Sequence, residues 1–259
     1  FNGKEVLSAV PASGAIFDKR GNVASTTQTN NTVSMNDNRI AMEKELRFYG
    51  STSRDFALVK TGASNMMMKW KRGNSESYVN LFSFDNAGTF TSTKSQRVTV
   101  SSYGYTDLIK GPGNLYISAE QGYKRRDNVN KWGLLVSTLS TDGKDDVHVV
   151  DTERMTQNVT DNTTSYYRSP SITALNDSIY AIGYRGYYHD GFIETFKVET
   201  SGKITRLKSY EYDVNESNYN KLVRVDSNTV AMIYRGFKGQ WGGHVLTFDI
   251  ATDLSLIHI

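Results

Sequence analysis

The chain has 259 residues, 38% of them hydrophobic and 22% charged, a globular composition that excludes a disordered chain. Thirty basic against 27 acidic residues leave a net charge of +3, too mild and too interspersed for a nucleic-acid or anionic-membrane partner. There is no cysteine, so disulfides, thiolate metal sites and thiol nucleophiles are excluded together, and no apolar run approaches the length that spans a bilayer.

The sequence begins at Phe1 without Met or a signal peptide and reads as part of a larger polypeptide. Ala15–Gly21 looks like the end of a strand and its turn. Arg39–Phe48 alternates Ile40, Met42, Leu46 and Phe48 like a following strand. Residues 1–53 are therefore expected to hold parts of a blade. From Asp55 onward one pattern is written four times. It runs from an apolar anchor at Leu58, Leu108, Ile172 or Leu222 to a closing glycine at Gly73, Gly122, Gly186 or Gly236, in steps of 15, 14, 14 and 14 residues. The glycines recur at 49, 64 and 50 residues, a period that marks solenoids, propellers or arrays.

Within each copy, short alternating runs are separated by Gly, Asn and Asp turns, which is hairpin grammar. The clearest copy gives Pro170–Leu175, Ile179–Tyr184, Phe192–Val198 and Ile204–Tyr212. Four antiparallel strands per unit, repeated, predict an all-β fold of β-propeller blades at 54–104, 105–167, 168–217 and 218–253. About five blades are expected in all, cut from a larger ring and exposing two apolar blade faces that would make the chain self-associate. Small residues at Ala119, Ala181, Gly183 and Ala231 suit second strands covered on both faces. The polar stretch 151–165 reads as a loop.

Tyr180–Phe196 resembles propeller repeats of the form Tyr-Ala-x-x-Tyr-Arg-Gly followed by Asp-Gly-x-Ile-x-Thr-Phe. The resemblance implies architecture and an extracellular or cell-surface setting, and it implies no catalytic residue. The last six residues, Leu254–Ile259, resemble a translated sequencing adapter, which implies that His258 carries no meaning.

Two groups of residues suggest a ligand site. Arg72, Arg185 and Arg235 precede the closing glycines, with Gln121 in the second copy, and equivalent positions of successive blades share one rim. Their planar guanidinium forks suit a carboxylate or phosphate, and a trio of arginines on a propeller echoes the sialidases. The competing explanation, and the stronger one, is that each arginine stabilises its own turn. The second group is aromatic. Tyr187, Tyr188 and Trp241 fall in predicted turns, where aromatic rings serve as platforms for sugars or partner chains, whereas Trp70, Tyr184 and Tyr234 fall in strands and read as packing.

Ser83–Phe90 comes close to the sialidase turn motif with one residue too many, and reads as an ordinary hairpin turn. His148, His189 and His244 have no ligand spacing, and Asp142–Asp146 lacks the alternating carboxylates of a calcium loop, so no metal and no cofactor is expected. Five glycosylation-type triplets, at Asn30, Asn158, Asn162, Asn176 and Asn215, are what a chain rich in Asn, Ser and Thr makes by chance. The sequence thus points to a non-enzymatic recognition or structural propeller module that binds glycan or protein, with no nucleic-acid partner and no membrane insertion. Its alternative is a glycoside hydrolase of sialidase-like type on the same fold.

Overall fold

The computed structural model describes residues 6–8, 32–34, 53–73, 76–85, 89–92, 95–100, 102–126, 129–142, 146–155, 168–237, 240–250 and 256–258. The chain divides into two compact units, Phe1–Glu45 and Leu46–Ile259. In the first, β1 (Val6–Ser8) pairs antiparallel with β2 (Thr32–Ser34). The sequence pattern did not signal this pairing, and the strands expected at Ala15–Asp18 and Arg39–Phe48 lie outside the described residues.

The second unit is a succession of antiparallel sheets, simple meanders in the second, third and fourth. Blade 1 holds β3 (Ser53–Lys60), β4 (Asn65–Arg72) and β5 (Glu76–Phe84), with β6 (Phe90–Ser92) and β7 (Gln96–Val100) both pairing β5. Blade 2 holds β8 (Ser102–Lys110), β9 (Leu115–Arg126), β10 (Val129–Thr141) and β11 (Val147–Arg154). Blade 3 holds β12 (Arg168–Ala174), β13 (Ile179–Arg185), β14 (Gly191–Val198) and β15 (Ile204–Asp213). Blade 4 holds β16 (Ser217–Arg224), β17 (Thr229–Phe237), β18 (Trp241–Ile250) and β19 (Leu256–His258). A three-residue 3-10 turn at Tyr187–His189 is the one helical element among the described residues.

The first strands lie side by side, β3 against β8, β8 against β12 and β12 against β16, which is the arrangement of a β-propeller with its innermost strands around an axis. All four anchors sit in these strands. Hairpin bonds fix the equivalence: the N–H groups of Thr61, Gly111, Leu175 and Val225 donate to the carbonyls of Asn65, Leu115, Ile179 and Thr229 at 2.8–2.9 Å. Two expectations need correction on this register. The residue matching Gln121, Arg185 and Arg235 is Lys71, and Arg72 stands where the other copies have their closing glycine. The apparent extra residue in the first copy comes from Gly73, a turn glycine at φ 60°, one position later. The C-terminal segment is also more than a tail, because Leu256–His258 pairs with Phe248–Ile250 and completes blade 4 as its outer strand. Likewise Asp151–Arg154, read as loop, continues β11.

Packing follows from coverage of one blade by the next. Met67, Val79 and Leu81 of blade 1 meet Leu108, Tyr116 and Leu139 of blade 2. Leu115, Ile117 and Val136 of blade 2 meet Tyr180, Phe196 and Val198 of blade 3, and Ile179, Ala181 and Ile193 of blade 3 meet Val230, Met232 and Phe248 of blade 4. Small residues permit the close approach. A Cβ on Gly183 would lie 3.0 Å from Met232 Sδ and 3.3 Å from Leu222 Cδ1.

Polar bonds stitch the same junctions. Asp107 Oδ2 of blade 2 accepts the Ile172 N–H of blade 3 at 2.7 Å, while its Oδ1 accepts the Leu108 N–H. The matching residue of blade 3, Ser171, offers its Oγ to the Leu222 N–H of blade 4 at 3.0 Å. Farther out, Val147 N–H donates to Gln96 Oε1, Ile204 N–H to Asp151 Oδ2, and Thr138 Oγ1 to the Gly202 carbonyl. At the junction of blades 1 and 2 the stitch is ionic. Lys69 Nζ lies 2.8 Å from Glu120 Oε1 with both side chains buried, and Ser77 Oγ donates to the same carboxylate. Burial opposes the charge on Glu120, but Lys69 and Lys71 together with these bonds hold its carboxyl down at about 2.

One expected bare face is not bare. The leading face of blade 1 is buried at Met68, Trp70 and Phe82. The trailing face of blade 4, by contrast, is exposed at Val223, Val225, Ile233 and Val245.

Phe196 and Phe248 are fully buried at two different junctions. Each changed to Ala should cost about 3–5 kcal/mol in chemical denaturation, while Lys197→Ala, on the exposed side of the same strand, should stay within about 0.5 kcal/mol. Asp107→Ala should cost about 1–3 kcal/mol for each N–H it strands, and so more than Ser171→Ala, which strands one.

Candidate functional site

The innermost strands share a backbone irregularity at one end. In β3, β12 and β16 two residues stand opposite one residue of the partner strand: Asp55-Phe56 opposite Trp70, Ser169-Pro170 opposite Tyr184, and Tyr219-Asn220 opposite Tyr234. The first residue of each pair, Asp55, Ser169 and Tyr219, is left-handed at φ 53–55°. In β8 the bulge falls one residue earlier, at Gly104-Tyr105. Bulges of this kind bend the strand and re-aim side chains. Non-glycine residues in the left-handed region cost of order 1 kcal/mol or more and cluster where structure serves function. Here they turn Phe56, Tyr105 and Tyr219 outward: all three are exposed, and the rings of Tyr105 and Tyr219 meet edge to face at 6.2 Å. Since β8 and β16 flank β12, the two tyrosines meet in front of it.

Opposite the bulges, Trp70, Tyr184 and Tyr234 are buried, as packing residues should be. Each satisfies its polar tip inside: Trp70 Nε1 donates to Asn80 Oδ1 at 2.7 Å, the Tyr184 hydroxyl to Glu194, and the Tyr234 hydroxyl to Asp213 Oδ2 at 2.8 Å. These anchors hold the rim rigid.

The same rim carries the loop between β13 and β14. Its residues Tyr188 and His189 are both left-handed, at φ 51° and 80°, and Tyr188 is 68% exposed. Beneath them a polar network spans blades 3 and 4. Arg185 Nη1 donates to Asn218 Oδ1 at 2.6 Å and lies 3.8 Å from Glu216 Oε1. His189 Nδ1 also lies 3.8 Å from that oxygen, and Asn218 Nδ2 donates to it at 2.9 Å. Asp213 Oδ1 accepts the N–H groups of Asn215 and Glu216, fixing the turn into β16. Next to the loop, Asp190 shares a hydrogen bond with Glu211. Partial burial, that bond and the charges of Glu211 and Asp213 push the Asp190 carboxyl up to about 7.

The arginines and aromatics singled out in the sequence therefore separate. Arg185 is buried in the junction and bonded to blade 4. Arg235 is exposed on the far face of blade 4, its guanidinium 4.2 Å over the ring of Trp241, and Trp241 opens strand β18 opposite Phe237 instead of lying in a turn. Arg72 is exposed, one register position away. Tyr187 and Tyr188 lie in the rim loop as expected, and the side chain of Tyr187 is outside the described residues. Tyr105, Tyr219 and Glu211 carried no motif, and Asp190 stood in the sequence as the Asp of the repeat's Asp-Gly turn, with no sign of an acidic partner. The signal available for Tyr105 and Tyr219 was their place just ahead of the anchors. Ser83–Phe90 is a hairpin turn, with the Thr89 N–H donating to Asp85 Oδ1. Among the described residues no three His, Asp or Glu side chains are grouped to hold a metal ion.

No protein-family model matches the chain, and no curated protein is similar to it in sequence. Solved structures are similar in fold. A protein of unknown function from Dyadobacter fermentans DSM 18053 superposes with a TM-score of 0.54 at 10% identity, over 88% of this chain and 68% of that one. A GH32 beta-fructofuranosidase of Bombyx mori gives 0.49 at 9% identity, covering 80% of this chain; this chain spans 48% of that enzyme's length. An exo-1,5-alpha-L-arabinanase from a bovine ruminal metagenomic library gives 0.46 at 10% identity, over 77% and 75% of the two chains. At such identities the likeness is one of fold, and the fold of this chain is a β-propeller.

Proposed function

We propose that the bulged rim at blades 3 and 4 binds a glycan, as a recognition module in an extracellular or cell-surface setting. The observation that supports this most is the set of exposed tyrosines, Tyr105, Tyr188 and Tyr219, beside the network of Arg185, His189, Glu216 and Asn218. Aromatic faces offer apolar area to a sugar ring, and the amide, carboxylate and imidazole groups offer hydrogen bonds to its hydroxyls. Strain at Tyr188 and Tyr219 fits a surface pre-organised for a ligand. On a glycan array, Tyr188→Ala and Tyr219→Ala should each weaken binding by about tenfold or more while leaving the thermal midpoint unchanged. Unaltered binding in both folded variants would remove the rim from consideration.

Glycoside hydrolysis at the same rim is the second reading, and Asp190 is the observation that favours it. A carboxyl that keeps its proton up to about 7 beside a second carboxylate has the makings of a general acid. Release of product from a panel of aryl glycosides should then be highest below pH 7, fall above it, and vanish in Asp190→Asn. A panel without turnover leaves recognition alone.

The same carboxyl sets a stability profile. It titrates near 4 in an unfolded chain and at about 7 here, so the stability it contributes is complete below pH 4 and is lost as pH rises through 7. Burial pushes the Glu194 carboxyl up to about 7 as well, so thermal midpoints measured from pH 4 to 8 should fall for the wild type and fall less steeply in Asp190→Asn.

A further inference from the structure

Blade 2 differs from its neighbours in the length of one hairpin. Beyond the equivalent positions Lys71, Gln121, Arg185 and Arg235, the second and third strands pair on by one residue pair in blade 1, none in blade 3 and two in blade 4. In blade 2 they pair on by five, from Gly122–Gly133 to Arg126–Val129. Among the described residues β8 pairs with β9 no farther than Gly122, and β11 with β10 no farther than Leu135. The last four pairs therefore form a two-stranded arm, which at about 3.3 Å per residue reaches roughly 13 Å past the blade.

This arm holds the charge of the molecule. Residues 123–132 read Tyr123-Lys-Arg-Arg-Asp-Asn-Val-Asn-Lys-Trp132, four basic residues against one acidic. Their net charge of +3 equals that of the whole chain, so the remainder is neutral. The placement also works against the hairpin. Lys124 pairs with Lys131, and like charges directly opposite one another destabilise a ribbon that, with two strands, is marginal in water already. Local rules of this kind are broken at functional sites, and an anionic ligand would relieve the repulsion.

The setting of the arm narrows the ligand. Its connection corresponds to the β13–β14 loop that carries Tyr188, so the arm rises from the rim of Tyr105, Tyr188 and Tyr219. Tyr105 lies in the β8 bulge between the partners of Gln121 and Glu120, beside the base of the arm. There Tyr123 pairs with Trp132, two more of the residue types that suit sugar rings. The acidic residues of the rim, Asp190, Glu211 and Glu216, belong to blades 3 and 4, which directs an anionic group to the blade 2 side.

We propose that the β9–β10 arm binds an acidic polysaccharide, with Lys124, Arg125, Arg126 and Lys131 taking its carboxylate or sulfate groups. Guanidinium forks suit both. The assignment rests on the glycan reading for the kind of polymer and adds its charge.

Titration of the full chain with labelled dextran sulfate, polygalacturonate and neutral dextran tests it and separates sulfate from carboxylate. At least one charged polymer should bind about tenfold or more tighter than dextran, and weaken on the order of 100-fold between about 50 and 200 mM salt, as about four ionic contacts would. Changing the four basic residues together to Gln should abolish that preference. Lys124→Glu, which sets opposite charges across the ribbon, should weaken binding while raising the thermal midpoint, a pair of effects that misfolding cannot produce. Binding lost in the arm variants but kept in Tyr188→Ala and Tyr219→Ala would support the arm and end the reading of the rim. Neutral dextran bound as tightly as the charged polymers, or charged polymers bound undiminished by the folded arm variants, would overturn the arm and leave the rim. Failure of both charged polymers to bind would overturn it, as would duplex DNA bound as tightly as either, which would make the arm a nucleic-acid surface.

Discussion

An innermost propeller strand has one edge with no neighbouring strand, and its N–H groups must find acceptors elsewhere. That requirement organises this chain. Asp107 and Ser171 supply the acceptors from the blade before, and each thereby fixes the height and angle at which the next blade stands. Apolar coverage then follows, because blades placed in this way bring Val136 against blade 3 and Ile193 against blade 4. Hydrophobic burial supplies most of the stabilisation, while the stitches decide register.

The rim depends on the same strands. Past the stitch the inner strands bulge, and in β3, β8 and β16 a ring is turned outward there, Phe56, Tyr105 or Tyr219, while in β12 Ser169 and Pro170 stay buried. Buried aromatic anchors opposite the bulges bear the strain at Asp55, Ser169 and Tyr219. The site is thus a property of the repeat, while its chemistry is a property of the individual blades. Tyr105 and Tyr219 occupy positions that hold Asp55 and Ser169 elsewhere.

Strand order and the anchors were legible because alternation and turn pairs are local. The placement of Trp70, Tyr184 and Tyr234 in the interior was legible for the same reason. The bulges were not, since a left-handed Asp, Ser or Tyr leaves no mark in composition. Gly73 hid the register of the first copy, because a turn glycine one residue late imitates the closing glycine. The fate of Arg185 depends on Asn218, 33 residues away, and the Asp190–Glu211 pair on the register of β14 against β15. No single-strand pattern contains such cross-strand distances.

The buried Lys69–Glu120 pair has a bearing on how the array assembles. Repeats that resemble one another can dock out of order while folding, and mispaired neighbours are a characteristic trap of such chains. Where blade 2 has Glu120, the equivalent positions hold Trp70, Tyr184 and Tyr234. Any blade but the second, seated on blade 1, would leave Lys69 and Lys71 buried against an aromatic ring, at a cost of several kcal/mol. One junction of the array thus carries an address, and the blades count from it.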